Sequence, residues 1–239
     1  MGVGLIILLF FRNSPKEQLV SDNSNSKKKT RIWEGLSYEN TKKKWYFYAT
    51  ILCIFTIGMV LQGISGVAAP LLKDAGLSAA YVANILSINS LILTGSKFLA
   101  GFSYDKLGLK FTSSFCTISA AAVMLILSLI TNSPVGKILA VFYAILSPLA
   151  LPLETVLIPI FASDLFGEKA NNKVLGILTA TSTAGFAVGT PLSNLCYDIS
   201  GSYDIALYIA FALMIFVFVV LQFIINSVNK EKQKIGVLA

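Results

Sequence analysis

Of the 239 residues, 55% are apolar and 13% charged, with a mean hydropathy of +0.74. A soluble domain carries about 25% charged residues, so the composition excludes a water-soluble globular protein and predicts an all-α integral membrane protein. A net charge of +7 would suit nucleic acid, but the basic residues sit between apolar runs, as the positive-inside rule requires, and no nucleic-acid partner is expected.

Residues 2–11, GVGLIILLFF, are apolar but give about half of the ~20 residues that a spanning helix needs. No positive n-region precedes them and no small-residue cleavage site follows, which argues against a signal peptide. Residues 1–11 therefore read as the tail of a preceding transmembrane helix. Residues 12–44 form a polar loop with Lys27-Lys28-Lys29, Arg31 and Lys42-Lys43-Lys44, and their Ser/Asn/Lys part has a disordered composition. Trp33, Leu36 and Tyr38 alternate with polar residues and suit the membrane interface.

Six apolar segments follow, over 46–69, 79–102, 111–130, 136–161, 174–197 and 205–227, each near the ~20 residues of one crossing. They make 45–229 a six-helix transmembrane domain, with 230–239 as a tail. Trp45, Tyr46 and Tyr48 supply an aromatic belt at the first crossing. Placing the lysine-rich loop in the cytoplasm puts sixteen of the nineteen basic residues on that side and leaves Lys73 and Lys137 outside. Both termini are therefore expected to be cytoplasmic. Cys53, Cys116 and Cys196 lie within or at the end of apolar segments, form no CxxC and have no histidine to share a metal. Neither disulfide, metal nor bound cofactor is expected.

The turn between the second and third segments carries Gly101, Asp105, Lys106, Gly108 and Lys110. It resembles the loop motif of the major facilitator superfamily, Gly-x-x-x-Asp-Arg/Lys-x-Gly-x-Arg/Lys. Further along, Pro159-x-x-x-x-Asp164-Leu-Phe166-Gly167 is similar to the exit from helix ten of that family. Gly185-x-x-x-Gly189-Thr190-Pro191 and Tyr197-Asp198-x-x-Gly201-x-Tyr203 resemble its helix eleven and outer turn. The closest resemblance is to the oxalate/formate antiporter and monocarboxylate transporter branches. Arg12-Asn13-Ser14-Pro15 looks like the exit from helix six, and Trp33-Glu34-Gly35-Leu36 like the approach to helix seven. The resemblance implies the C-terminal six-helix half of a facilitator, built from two three-helix repeats over about 45–130 and 136–229, with 12–44 as the inter-half loop.

An ionisable residue inside a span is a functional candidate, because leaving water is costly. Lys97 lies eight residues before Asp105, hence about 12 Å deeper, close to the ~15 Å that separates the membrane boundary from the midplane. From there its stem falls short of the interface. Gly95-Ser96-Lys97-x-x-x-Gly101 resembles the Gly-Arg-x-x-x-Gly of organic-anion facilitators, whose arginine binds the substrate carboxylate. Lysine keeps the charge but loses the bidentate fork. Glu154 is the one carboxylate within a span, beside Pro148 and Pro152, and prolines inside a crossing are tolerated where the helix lines a cavity. Two readings stay open for it: a proton-binding site that couples transport, or an ion-pair partner of Lys97. Gln62 and Asn89 are further polar residues that suit either substrate or a neighbouring helix. Helix 174–197 is rich in small residues, spaced for helix packing, and it lacks the second cation of oxalate-binding members, which argues against a dicarboxylate clamp.

Asp105 is expected to cap the next helix, with Gly101 and Gly108 permitting close approach and a tight turn. The resemblance makes this loop a gate latch, with Lys173 as the partner of Asp105. The sequence thus reads as the C-terminal half of a secondary active transporter in the cell membrane, moving a small organic anion, a monocarboxylate, by alternating access as symport or antiport. Protons are a candidate coupling ion, and a missing N-terminal six-helix half or a second copy completes the cavity. An enzyme is not expected, for want of metal ligands or a nucleophile–base pair. The alternative is a non-transporting membrane module or a truncated fragment.

Overall fold

A computed structural model describes Gly35 and residues 37–234. The tail expected over 1–11, most of the 12–44 loop with Trp33 and Leu36, and the last five residues lie outside the described residues. By contacts the chain divides into Met1–Arg31 and Ile32–Ala239, and every described residue belongs to the second unit. All regular structure among the described residues is helical.

A single turn, α1 (Tyr38–Thr41), leads into α2 (Trp45–Asp74). That helix stops at Gly76, whose φ of +84° few other residues adopt. There the N–H of Gly76 donates to Lys73 O at 2.9 Å and that of Leu77 to Leu72 O at 3.3 Å. These paired bonds use the last carbonyls of the helix, and the apolar contact that goes with them is supplied by buried Leu72 and Leu77.

Ser78 then caps α3 (Ala79–Ser128), accepting from the Tyr81 N–H. Fifty helical residues in line would reach about 75 Å, far beyond a hydrocarbon core of about 30 Å. The run is broken at Gly108, where φ is +79° and ψ 173°. Thr112 Oγ1 lies 3.2 Å from Ser103 Oγ, although nine residues of straight helix would hold them about 13 Å apart. The chain therefore doubles back at Gly108, giving two arms, 79–107 and 109–128, where two crossings are expected from the sequence.

The next crossing is not one regular helix. It comprises α4 (Pro134–Ala150), α5 (Pro152–Thr155) and α6 (Leu157–Phe166). Ser133 caps its start, accepting from the Gly136 N–H at 3.0 Å, with Pro134 in the first turn. Pro148 has no N–H for the Ala144 carbonyl, Pro152 none for that of Pro148 and Pro159 none for that of Thr155, so the ladder loses three bonds. Leu151 and Val156 nevertheless keep right-handed helical dihedrals. The course is interrupted in its hydrogen bonds but not in its direction.

Gly167 (φ +79°) separates α6 from α7 (Glu168–Ser200), and Gly201 (φ +74°) ends α7. Last comes α8 (Asp204–Lys234), with an acid in its first turn and lysines in its last, as the helix dipole favours. The most extensive packing joins α2 to α7, then α3 to α4 and α3 to α8. Among the described residues five helical runs are long and apolar enough to cross a membrane, and the Gly108 break makes two crossings of one of them. Lys44 at the start of α2 pairs with Glu231 at the end of α8, so the described chain starts and finishes at the same end of the bundle.

The α2–α7 seam is a backbone contact. A Cβ on Gly185 would stand 2.4 Å from Phe55 O, and one on Gly189 2.1 Å from Met59 O. Gly58 and Gly63 are equally tight from the α2 side, against Ser182 O and Gly189. Lipid offers no hydrophobic drive for helices to associate, so close van der Waals packing of this kind carries the stability.

Candidate functional site

Two regions hold the polar residues that the apolar crossings would otherwise exclude. The first is where the 79–107 arm of α3 meets the broken course. Pro148 O, left without its helical donor by Pro152, accepts instead from the buried Ser96 Oγ at 2.7 Å. That hydroxyl also lies 2.9 Å from Leu93 O. This bond fixes the height of Lys97, the next residue, against α5, where Glu154 sits. Lys97 is exposed on its arm. No salt bridge joins it to Glu154 among the described residues. Glu154 Oε2 is buried with no hydrogen-bond partner, and so is Asn89 Nδ2 on the same arm as Lys97. A buried polar atom without a partner is uncommon and costs about 1–3 kcal/mol, which marks both as groups awaiting one. Gln62 is exposed on α2. Its backbone carbonyl accepts from Thr190 Oγ1 at 3.4 Å, and its side chain makes no hydrogen bond to the other three candidates among the described residues.

The second region is the end of the bundle that carries the Gly108 turn. Lys232, its side chain only 7% exposed, pairs with Asp164 at the end of α6. Tyr104 faces the same carboxylate. Next to it, Glu231 accepts from Lys44 Nζ at 2.8 Å and from Tyr46 OH at 3.2 Å. Lys110 donates to Asn226 Oδ1 at 3.0 Å. The end of α8 is thus tied to the start of α2, the end of α6 and the α3 turn.

The residues expected to form the latch are arranged differently. Asp105 is exposed in the last turn of the 79–107 arm, three residues before Gly108. It caps no helix and joins no ion pair among the described residues. Lys173 lies 5.2 Å over the Tyr38 ring, which also takes Lys42 at 4.5 Å. Lys106 lies 4.4 Å over the Phe102 ring, an attraction to the negative ring face. Gly108 makes the tight turn, but a Cβ on Gly101 would meet nothing within 4 Å, so the close approach expected there is not made among the described residues.

Sequence reasoning passed over Ser96, Asp164 and the Glu231–Lys232 pair. The Pro148-x-x-x-Pro152 spacing itself announces an orphan carbonyl, so a nearby hydroxyl could have been sought. Asp164 stands inside a recognised motif. Its partner 68 residues away leaves no local signal.

Apolar crossings folded back on one another, with buried polar groups unpartnered among the described residues and an ionic girdle at one end, define a multi-pass membrane protein. The sequence profile of the Major Facilitator Superfamily matches residues 50–237, and the chain belongs to that family. Its members are membrane transporters rather than enzymes, so a lipid bilayer and a transported small molecule are its surroundings and its cargo. A comparison with curated proteins returns no match.

Proposed function

We propose that the chain is the C-terminal half of a secondary transporter for a small organic anion, a monocarboxylate, working by alternating access in the cell membrane with both termini cytoplasmic. The observation that carries this reading is Lys97: a cation without a salt bridge among the described residues, partway along an apolar arm and beside a helix that proline has opened. An anionic carboxylate suits that cation better than a sugar or a cationic drug does. Asn89 Nδ2, a buried donor with no partner, supplies a hydrogen bond to the same ligand. Glu154 binds the coupling proton, and the lack of a salt bridge to Lys97 supports that role over a purely structural counter-ion. The other wall of the cavity comes from an N-terminal half or a second copy.

The test is transport by the completed carrier in vesicles. Lys97→Gln abolishes monocarboxylate uptake and binding, whereas Lys97→Arg keeps at least part of both. Uptake that survives Lys97→Gln would end the organic-anion reading and leave only the family. Glu154→Gln uncouples uptake from the pH gradient while exchange continues. If it instead unfolds the protein, and removing both charges restores it, Glu154 is a counter-ion.

A further inference from the structure

A groove of about 480 Å³ opens where the two arms of α3 part above the Gly108 turn, with Leu149 of α4 closing its back. Leu99, Phe102, Leu107, Phe111 and Phe115 form its walls, and the three phenylalanines are each about half exposed. Its hydroxyls are already engaged: Ser96 with Pro148 O, and Ser103 with Thr112. Among the described lining residues the one charged group is the Lys106 ammonium, which rests over the Phe102 wall, and no carboxylate lines the groove. Asp105, its neighbour in sequence, stands outside.

Depth decides what fits. Lys106 lies in the turn that ends a crossing, at headgroup level. Leu99, seven residues earlier, lies about 10 Å further into the hydrocarbon. The groove therefore has a cation at its mouth and aromatic and aliphatic walls below, aligned with the long axis of a lipid. A free phosphate would use the cation and leave the walls uncovered. We propose that this groove holds one acyl chain of an anionic phospholipid, whose phosphate pairs with Lys106. An anionic headgroup beside one surface lysine is favoured about five-fold over a zwitterionic one. The site is a property of the α3 hairpin and does not depend on the identity of the transported substrate.

The full chain in lipid nanodiscs tests this directly. With Trp33→Phe and Trp45→Phe, a single Phe111→Trp probe reports which lipids enter the groove through quenching by brominated acyl chains. Brominated phosphatidylglycerol should associate about five-fold more tightly than brominated phosphatidylcholine. Lys106→Gln should bring that ratio to about one, and Lys106→Arg should keep it. A Phe115→Trp probe reads the same groove should the first substitution disturb insertion. Equal quenching by the two lipids with Lys106 in place overturns the proposal, as does a preference that survives Lys106→Gln. Absence of quenching by either lipid also overturns it, since protein would then cover the groove.

Discussion

The α2–α7 seam and the flank where α3 meets the broken course hold helices together by opposite means. At the seam two backbones touch through Gly58, Gly63, Gly185 and Gly189, and there is no room for even one added carbon. At the flank hydroxyls do the bridging, Ser96 to the orphan Pro148 carbonyl and Tyr81 to Lys137 O, while Glu154 Oε2 and Asn89 Nδ2 have no partner among the described residues. Even the seam is not fully satisfied, since Ser182 Oγ lacks a partner. The difference teaches where this chain can move: close-packed backbones resist displacement, whereas a flank joined through side chains, Ser96 to Pro148 O and Tyr81 to Lys137 O, beside soft prolines can rearrange around a ligand.

The contrast can be broken from its rigid side first. Gly189→Ala drives a carbon into Met59 O and should cost about 3 kcal/mol, seen as a lower midpoint when the purified chain is unfolded in detergent. Lys232→Met comes next. It strands Asp164, which is partly exposed, and should cost about 2 kcal/mol, much of it recovered when Asp164→Asn is added. Equal losses in the single and double variants would show that the pair does not hold the α8 end. At the flank, Ser96→Ala should cost only about 1 kcal/mol, with Ser96→Thr close to the parent. A loss as large as that of Gly189→Ala would abolish the distinction between the two regions. The smallest effect is a gain. Gly176 is on the same helix as Gly189 but its Cβ position is open, so Gly176→Ala should stabilise by about 0.5–1 kcal/mol.

Much of this was legible in the sequence because the bilayer leaves few solutions. The apolar stretches give the crossings, and Gly108 gives the turn. The expected small-residue packing of 174–197 is seen at Gly185 and Gly189. What the sequence does not carry is the choice among partners for long, flexible side chains. Lys173 finds the Tyr38 ring and Lys232 finds Asp164, and nothing near either lysine in sequence announces those partners. The broken course of the fourth crossing lay in plain view as Pro148, Pro152 and Pro159. Reading the run as one span over 136–161 followed from its hydrophobicity, which prolines scarcely change.

Leu151 and Val156 are five residues apart, which at 3.6 residues per turn sets them about 140° apart around the helix axis. Two soft joints that face different ways act as a crank rather than a hinge. The four residues between them can shift sideways while the rods on either side keep their tilt. Glu154 rides on that crank, so the carboxylate can change neighbours without either end of the crossing leaving its place in the bilayer.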